Sequence, residues 1–159
     1  MALIIDVEDP SAAEVRALLQ RHLAFAREVT PPGHVHALGT EAWSDPDLTL
    51  FGARRDGLLL GVGAIRQLDG SHAELKSMHT RPEARGQGVG RAILGHLLRV
   101  AGARGYQRVS LETGAMDAFA PARALYLKAG FTPCAPFGQY TVNPYSVCMT
   151  LALDTARRV

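Results

Sequence analysis

Arg81–Gly105 reads RPEARGQGVGRAILGHLLRVAGARG, with three glycines at every second position, Gly86, Gly88 and Gly90, before the stretch turns into leucine and alanine. Glycine weakens a helix or strand by roughly 0.5–1 kcal/mol relative to alanine, so a cluster at a junction serves a backbone that something must approach closely. Downstream, Val89, Ile93, Leu97 and Val100 recur at helical intervals and predict an amphipathic helix. It stops at Gly105, a natural C′ position, with Arg104 in the last turn. The first N–H groups of such a helix lack intrahelical partners and sit at the positive end of its dipole. Glycines just ahead of them admit a bulky anion. The stretch therefore reads as a phosphate or pyrophosphate cradle, with Arg85 and Arg91 on either side for charge-assisted contacts.

Working outward, the segments on both sides read as strands. LTLFGARR and LLLGVGAIRQL are separated by Asp56-Gly57, and the second is followed by Asp69-Gly70 and then HAELKSMHT. Asp-Gly between β-rich runs predicts a turn with both central residues at positive φ, so three strands form an antiparallel meander that runs into the glycines. RVSLET, from Arg108, is the strand after the helix. Strand, helix and strand make a right-handed crossover joining parallel strands. A short helix follows in PARALYLKAG, with Pro121 near its start and Gly130 as its stop. Phe131 to Cys134 and SVCMTLAL close the chain as strands. At the other end, LIIDV is a short strand, Ser11 and Glu14 have the spacing of a capping box, and Val15, Leu18, Leu19 and Leu23 mark a first helix. Residues 30–46 read as a loop with one helical turn. The expected architecture is α/β, one mixed sheet with helices on both faces, in a single domain over residues 1–159.

Bulk properties exclude several classes. A net charge of +2, spread without blocks or stripes, argues against nucleic acid. No run approaches the ~18 apolar residues of a membrane span. MALIIDVEDP lacks the basic start of a signal peptide, so the cytoplasm is the expected compartment. Cys134 and Cys148 are expected as reduced, buried thiols, and two cysteines make no metal set. His34 and His36 lie two apart without a Cys, Asp or Glu cluster to complete a zinc site, and solvent exposure is the simpler reading. Trp43 is expected to pin the loop to the core.

The phosphate ligand is narrowed by elimination. A Rossmann fingerprint wants G-x-G-x-x-G, whereas here the third glycine comes one residue early and a meander precedes it. No Gly-Lys-Ser/Thr follows, so a P-loop is out. Arg85-Gly86-Gln87-Gly88-Val89-Gly90, however, resembles the R/Q-x-x-G-x-G/A acetyl-CoA loop of the GNAT N-acetyltransferases. The strand before it, the helix after it and ALYLKAGF (Ala124 to Phe131) resemble that family's next elements in order and spacing, and the likeness runs from about Leu3 to Leu153. ELKSM, SLETG, CxPFxxY and NPxSVxMT further resemble a bacterial, YsnE-like subgroup of acetyltransferases.

The resemblance implies a GNAT fold, with strands splayed on either side of the crossover, acetyl-CoA as cosubstrate and no metal. Pantetheine then adds along the strand at Met78, His79 and Thr80, a case of strand addition by a ligand, and a backbone N–H there polarises the thioester carbonyl. Tyr126 falls where the family places the tyrosine that protonates the departing thiolate; free thiols and tyrosines have pKa values of about 8.5 and 10, a feasible match. Direct attack by an amine in a ternary complex needs a base, because an alkylamine with a pKa of about 10.4 arrives protonated. Glu74 is the first candidate, since His72, Glu74 and Lys76 share one strand face. Glu112 is the second and His79 the third. Tyr140 and Asn143, between the last two strands, fall where the family closes the acceptor pocket. Phe119 stands where many members carry an asparagine that contacts the cofactor, which leaves Glu112-Thr113-Gly114 to replace that contact. The expected acceptor is an amine on a small molecule or peptide, selected by the loop from Thr30 to Pro46, and a homodimer is compatible with the family. Two alternatives stay open: a catalytically silent acyl-CoA-binding module, and an enzyme using a longer acyl chain.

Overall fold

A computed structural model describes residues 2–36 and 40–153. Its elements run β1 (Ile4–Val7), α1 (Ala13–Val29), a 3-10 turn (Thr40–Ser44), β2 (Leu48–Arg55), β3 (Leu58–Gln67), β4 (His72–Thr80), α2 (Val89–Ala103), β5 (Arg108–Gly114), α3 (Ala120–Lys128), β6 (Thr132–Cys134) and β7 (Ser146–Ala152). All seven strands join one sheet in the order β1-β2-β3-β4-β5-β7-β6. Only β4 and β5 pair in parallel, across the α2 crossover. The mixed α/β sheet expected from the sequence is present.

Strand alternation feeds two cores. Phe51, Ile65, Leu75, Val109 and Leu111 face α2, where Val89, Ile93, Leu94 and Leu97 are buried, and Tyr126 and Phe131 join them. Leu50, Leu59, Val62 and Ala64 point the other way, onto Val15 and Leu18 of α1. Trp43 packs against the edge of this second core. β3 contributes to both cores, which explains its unbroken apolar run. α2 ends as predicted, with Gly105 at φ 87° and the Tyr106 N–H returning to Ala101 O at 3.1 Å.

Two local readings need correction. The first hairpin has the expected turn, with Asp56 at φ 52° and Gly57 at φ 81°. The second does not, because Gly70 keeps a negative φ. Instead, the Leu68 and Asp69 N–H groups both donate to His72 O, and the Asp69 carboxylate accepts from the Ser71 N–H at 2.8 Å. An aspartate that captures the backbone two residues on makes a wider turn its own way. The capping box is likewise absent. Ser11 donates its N–H and hydroxyl to Asp9, and Glu14 is held by Arg54, which also forks onto Glu8.

The feature that positions the site is where the β4–β5 ladder stops. Parallel pairing runs from His72 opposite Arg108 to Leu75 opposite Leu111 and goes no further. β4 then follows β3, with Val62 opposite His79 and Gly61 opposite Thr80, while β5 follows β7 as far as Gly114 opposite Ser146. The β3–β4 register shifts between Val62 and Ala64, and Ser77 takes a left-handed φ of 57° in the extra length. Such a bulge bends a strand and increases its twist. A gap opens between Lys76–Thr80 and Glu112–Gly114, flanked by unpaired strand edges.

Candidate active site

Two connected hollows occupy this gap. The outer one is a cleft of about 700 Å³ lined by Met78, His79 and Thr80 of β4, by Arg85, Gly86, Gly88, Val89, Gly90 and Arg91 of the glycine turn, and by Phe25, Phe119, Pro121, Leu125 and Tyr126. Gly86 and Gly88 take φ values of 77° and 81°, and a Cβ on either would meet nothing within 4 Å. Among the described residues, the N–H groups of residues 86 to 91 have no backbone acceptor; the first helical bond is from Ala92 to Gly88 O, at 3.0 Å. These donors, two flanking arginines and an open cradle suit a diphosphate. The apolar walls and the open edge of β4 suit the arm attached to it. Gln87 is the one loop residue turned away: its side chain accepts from Arg55 at 3.1 Å and donates to Glu83 O.

The inner hollow, about 100 Å³, adjoins the cleft at His22, Met78, Phe119, Ala122 and Tyr126, which line both. Its own wall holds Lys76, Ser77, Glu112, Thr113, Gly114, His34, His36 and Tyr145. Glu112 accepts a hydrogen bond from the Ser146 hydroxyl at 2.6 Å, and His36 Nε2 lies 4.0 Å from its carboxylate. Burial pushes the Glu112 pKa up; the Ser146 bond, His36 and Lys76 pull against it, and Glu74 adds to the rise. Tyr126 is also raised, by burial and then by the Glu112 charge, so its phenol holds its proton firmly.

Glu74 lies elsewhere. Buried to 3% exposure, it is paired with the Lys76 ammonium at 3.2 Å and accepts from the Tyr140 hydroxyl. It faces a third hollow, with Asp47, Arg66 and Tyr140, rather than the wall that carries Tyr126. The cause is register. Glu74 sits opposite Ser110 inside the paired part of β4–β5, whereas Glu112 is the first β5 residue beyond it. Tyr140 stays with Glu74, and the Lys76 Nζ donates to its hydroxyl at 2.7 Å. Asn143 lines none of these hollows: it is half-buried and braces its own turn, accepting from the Tyr145 N–H and donating to Thr141 O. Glu112-Thr113-Gly114 line the inner hollow rather than the cofactor-sized cleft. Phe119 instead lays its ring on Gly114, where any Cβ would sit 2.1 Å from it, and edges Phe25 at 5.3 Å.

The sequence reading missed His22 and undervalued His34 and His36. The last two are half-buried rather than exposed, with His34 against Tyr145 at 4.6 Å between ring centroids and His36 against Tyr140 at 5.0 Å. Nothing local in TPPGHVHALG signals this, because both partners lie more than a hundred residues away. Residues 37–39 of that loop lie outside the described part.

The acetyltransferase (GNAT) family profile matches residues 14–131. The chain belongs to the GNAT acetyltransferases. Among its relatives, the uncharacterized N-acetyltransferase YsnE of Bacillus subtilis is 41% identical over 149 residues, covering 94% of this chain and 99% of that protein. YedL of Escherichia coli, also an uncharacterized N-acetyltransferase, is 38% identical and covers 94% of each. A crystal structure assigned as an acyl-CoA N-acyltransferase, from Klebsiella pneumoniae, superposes with a TM-score of 0.78 at 27% identity, over 96% of this chain and 98% of that one. GNAT enzymes use acetyl-CoA, and a family member from Elizabethkingia anophelis, similar in fold at a TM-score of 0.71, was solved with acetyl-CoA bound. Among the described residues of this GNAT chain, no three His, Cys, Asp or Glu side chains gather as a metal site, and no helix is long and apolar enough to cross a membrane.

Proposed function

We propose that this GNAT enzyme moves an acetyl group from acetyl-CoA to a primary amine that reaches the inner hollow past Glu112. The observation that carries the reading is the meeting, at Tyr126, of a cleft edged by free N–H groups with a small hollow holding a desolvated carboxylate. Bound acetyl-CoA supplies an acyl thioester, which yields its acyl group to an amine and releases a thiol. The N–H groups of residues 86–91, with Arg85 and Arg91, hold the diphosphate, and the open edge at Met78, His79 and Thr80 takes the arm. Glu112 is the base. It takes the ammonium proton, and a carboxyl with raised proton affinity is better matched to an amine than an ordinary one. Its accessible wall makes it a stronger choice than Glu74, whose carboxylate is already shared by Lys76 and Tyr140. His79 is assigned no proton from the amine. Tyr126 presents its hydroxyl hydrogen toward the leaving thiolate.

The acceptor is small at its reacting end. The inner hollow is narrow, about 100 Å³ against about 700 Å³ for the cleft, which fits a primary amine on a slim stem, from a small molecule or a narrow peptide terminus. The test is thiol release from acetyl-CoA across a panel of amines. Release that depends on the amine supports the reading. Tight acetyl-CoA binding with no release against any amine would reduce the protein to a binding module.

A further inference from the structure

Cys134 and Cys148 stand directly opposite each other on the antiparallel strands β6 and β7, and both are free thiols. Directly opposed residues of such a ladder have Cα atoms about 4.5 or 5.5 Å apart, and a disulfide spans about 4.4–6.8 Å, so the backbone spacing already suits the bond. Opposed side chains also share one face of the sheet. The two thiols differ in access. Cys148 is buried, whereas Cys134, expected as buried, is half-exposed. That division suits a two-step exchange, in which the open thiol meets a reagent and the sheltered one resolves the adduct. The chain has two cysteines, so no third thiol competes. Register carries the row one strand further, because Cys148 also stands opposite Glu112 of β5. The pair brackets residues 135–147, where the Tyr140 hydroxyl meets Glu74 and Lys76 and the Tyr145 ring packs on His34. Burial pushes the Cys148 thiol up to about 11, with the Phe137 N–H pulling against it and Cys134, Glu112 and Glu74 adding to the rise. Burial raises Cys134 as well, against the pull of Arg108. Dithiols whose thiolates are poorly stabilised give disulfides that resist reduction.

We propose that Cys134 and Cys148 form a dithiol modification site, which a low-molecular-weight disulfide converts into a cross-strand bridge between β6 and β7. The Cys134 thiolate attacks one sulfur of the reagent. The reagent's S–S bond breaks, and its other half leaves as a thiol with the proton that Cys134 gave up. Cys148 then loses its proton and attacks Cys134 Sγ in the mixed disulfide, expelling the second half, which takes that proton. Two protein thiols are oxidised and one reagent disulfide is reduced to two thiols. The bridge fixes both ends of the segment that carries Tyr140 and Tyr145. The inference goes beyond acetyl transfer and does not rest on it.

The probe is oxidised glutathione, added to the folded chain and read by intact mass and thiol counting. The native chain should lose both thiols and two hydrogens in mass, keep no glutathione, and regain both thiols with a reductant. Cys148→Ser should stop at the first step and hold one glutathione. Cys134→Ser, left with the buried thiol, should react far more slowly than Cys148→Ser. The bridged chain should also melt above the reduced one, because the bond restrains the unfolded state. Both thiols left intact in the folded chain, or a bridge that forms only in urea, would overturn the proposal. So would a glutathione adduct that Cys148 leaves unresolved, or a covalent dimer in place of the internal bridge. A bridge that lowers the melting temperature counts against it equally, since the native register would then not seat the bond. Should Cys148→Ser fail to fold, the mass and thiol count of the native chain decide alone.

Discussion

Glu74 and Glu112 stand on neighbouring strands, two residues apart in register, and chemistry alone does not separate them. Their partners do. Glu74 has an ammonium and a phenol within hydrogen-bond reach, while Glu112 has one serine hydroxyl and faces an open hollow. Glu112→Gln is therefore expected to lower amine-dependent thiol release about 10²-fold or more, within the range of general-base effects, with Glu74→Gln costing clearly less. The same substitution should stabilise the fold. Below the ordinary value near 4.5, folded and unfolded states both hold the proton and nothing is lost. As pH rises, the unfolded chain ionises first, so stability falls until the pH passes the raised folded value and the loss then stays in full. Glu112→Gln should thus melt above native at pH 8 and show no advantage near pH 4. Tyr126 carries the companion prediction. Because burial and Glu112 raise its pKa, its hydroxyl is a weaker acid toward a thiolate than a free tyrosine, although it remains a donor. Tyr126→Phe should then lose only about tenfold in thiol release, at or below the weak end of acid catalysis.

At the scale of elements, the glycine turn and the helix after it were legible because their signals are local. Gly86, Gly88, Gly90 and the Val89, Ile93, Leu97 stripe lie within a dozen residues, and an Asp-Gly turn is settled by its own two dihedrals. The second hairpin escaped because the Asp69 side chain, rather than the dipeptide, shaped it. The end of the β4–β5 ladder was legible only through the family resemblance, which implies splayed strands, and not from the residues themselves. It depends on the bulge at Ser77 and on β7 keeping hold of β5, and no window of sequence contains both. That is why Glu74 ranked above Glu112, and why His34 and His36 read as solvent-facing. The turn supplies a prediction of its own. Gly88 is left-handed at φ 81° with empty space where a Cβ would point, so the Cβ of Gly88→Val meets nothing in the free protein. It strains the backbone by roughly 1–2 kcal/mol and fills the cradle. A modest loss of intrinsic stability is expected, together with loss of the thermal shift produced by acetyl-CoA; a retained shift would refute the cradle.

Across the whole molecule, a neutral histidine pair, His22 and His79, ties function to acid sensitivity. α1 belongs to one core and α2 to the other, and His22 with His79 bridges from α1 to the strand edge the cofactor would use. In the unfolded chain both rings titrate near 6.5, whereas folded, with burial the leading cause for each, they resist protonation until about 4 and about 3. Between those limits the unfolded state binds more protons, so stability is complete above pH 6.5 and falls as the solution is acidified. Each ring contributes at most about 1.4 kcal/mol of loss between pH 7.5 and 5.5, one pKa unit's worth, while ordinary carboxylates barely change charge over that span. Urea midpoints at the two pH values should therefore drop for the native chain and drop clearly less for the double variant His22→Gln, His79→Gln, in which His96, also lowered by burial, keeps its own share. A double variant with the native slope would mean that these two rings are not the acid-sensitive link between α1 and β4.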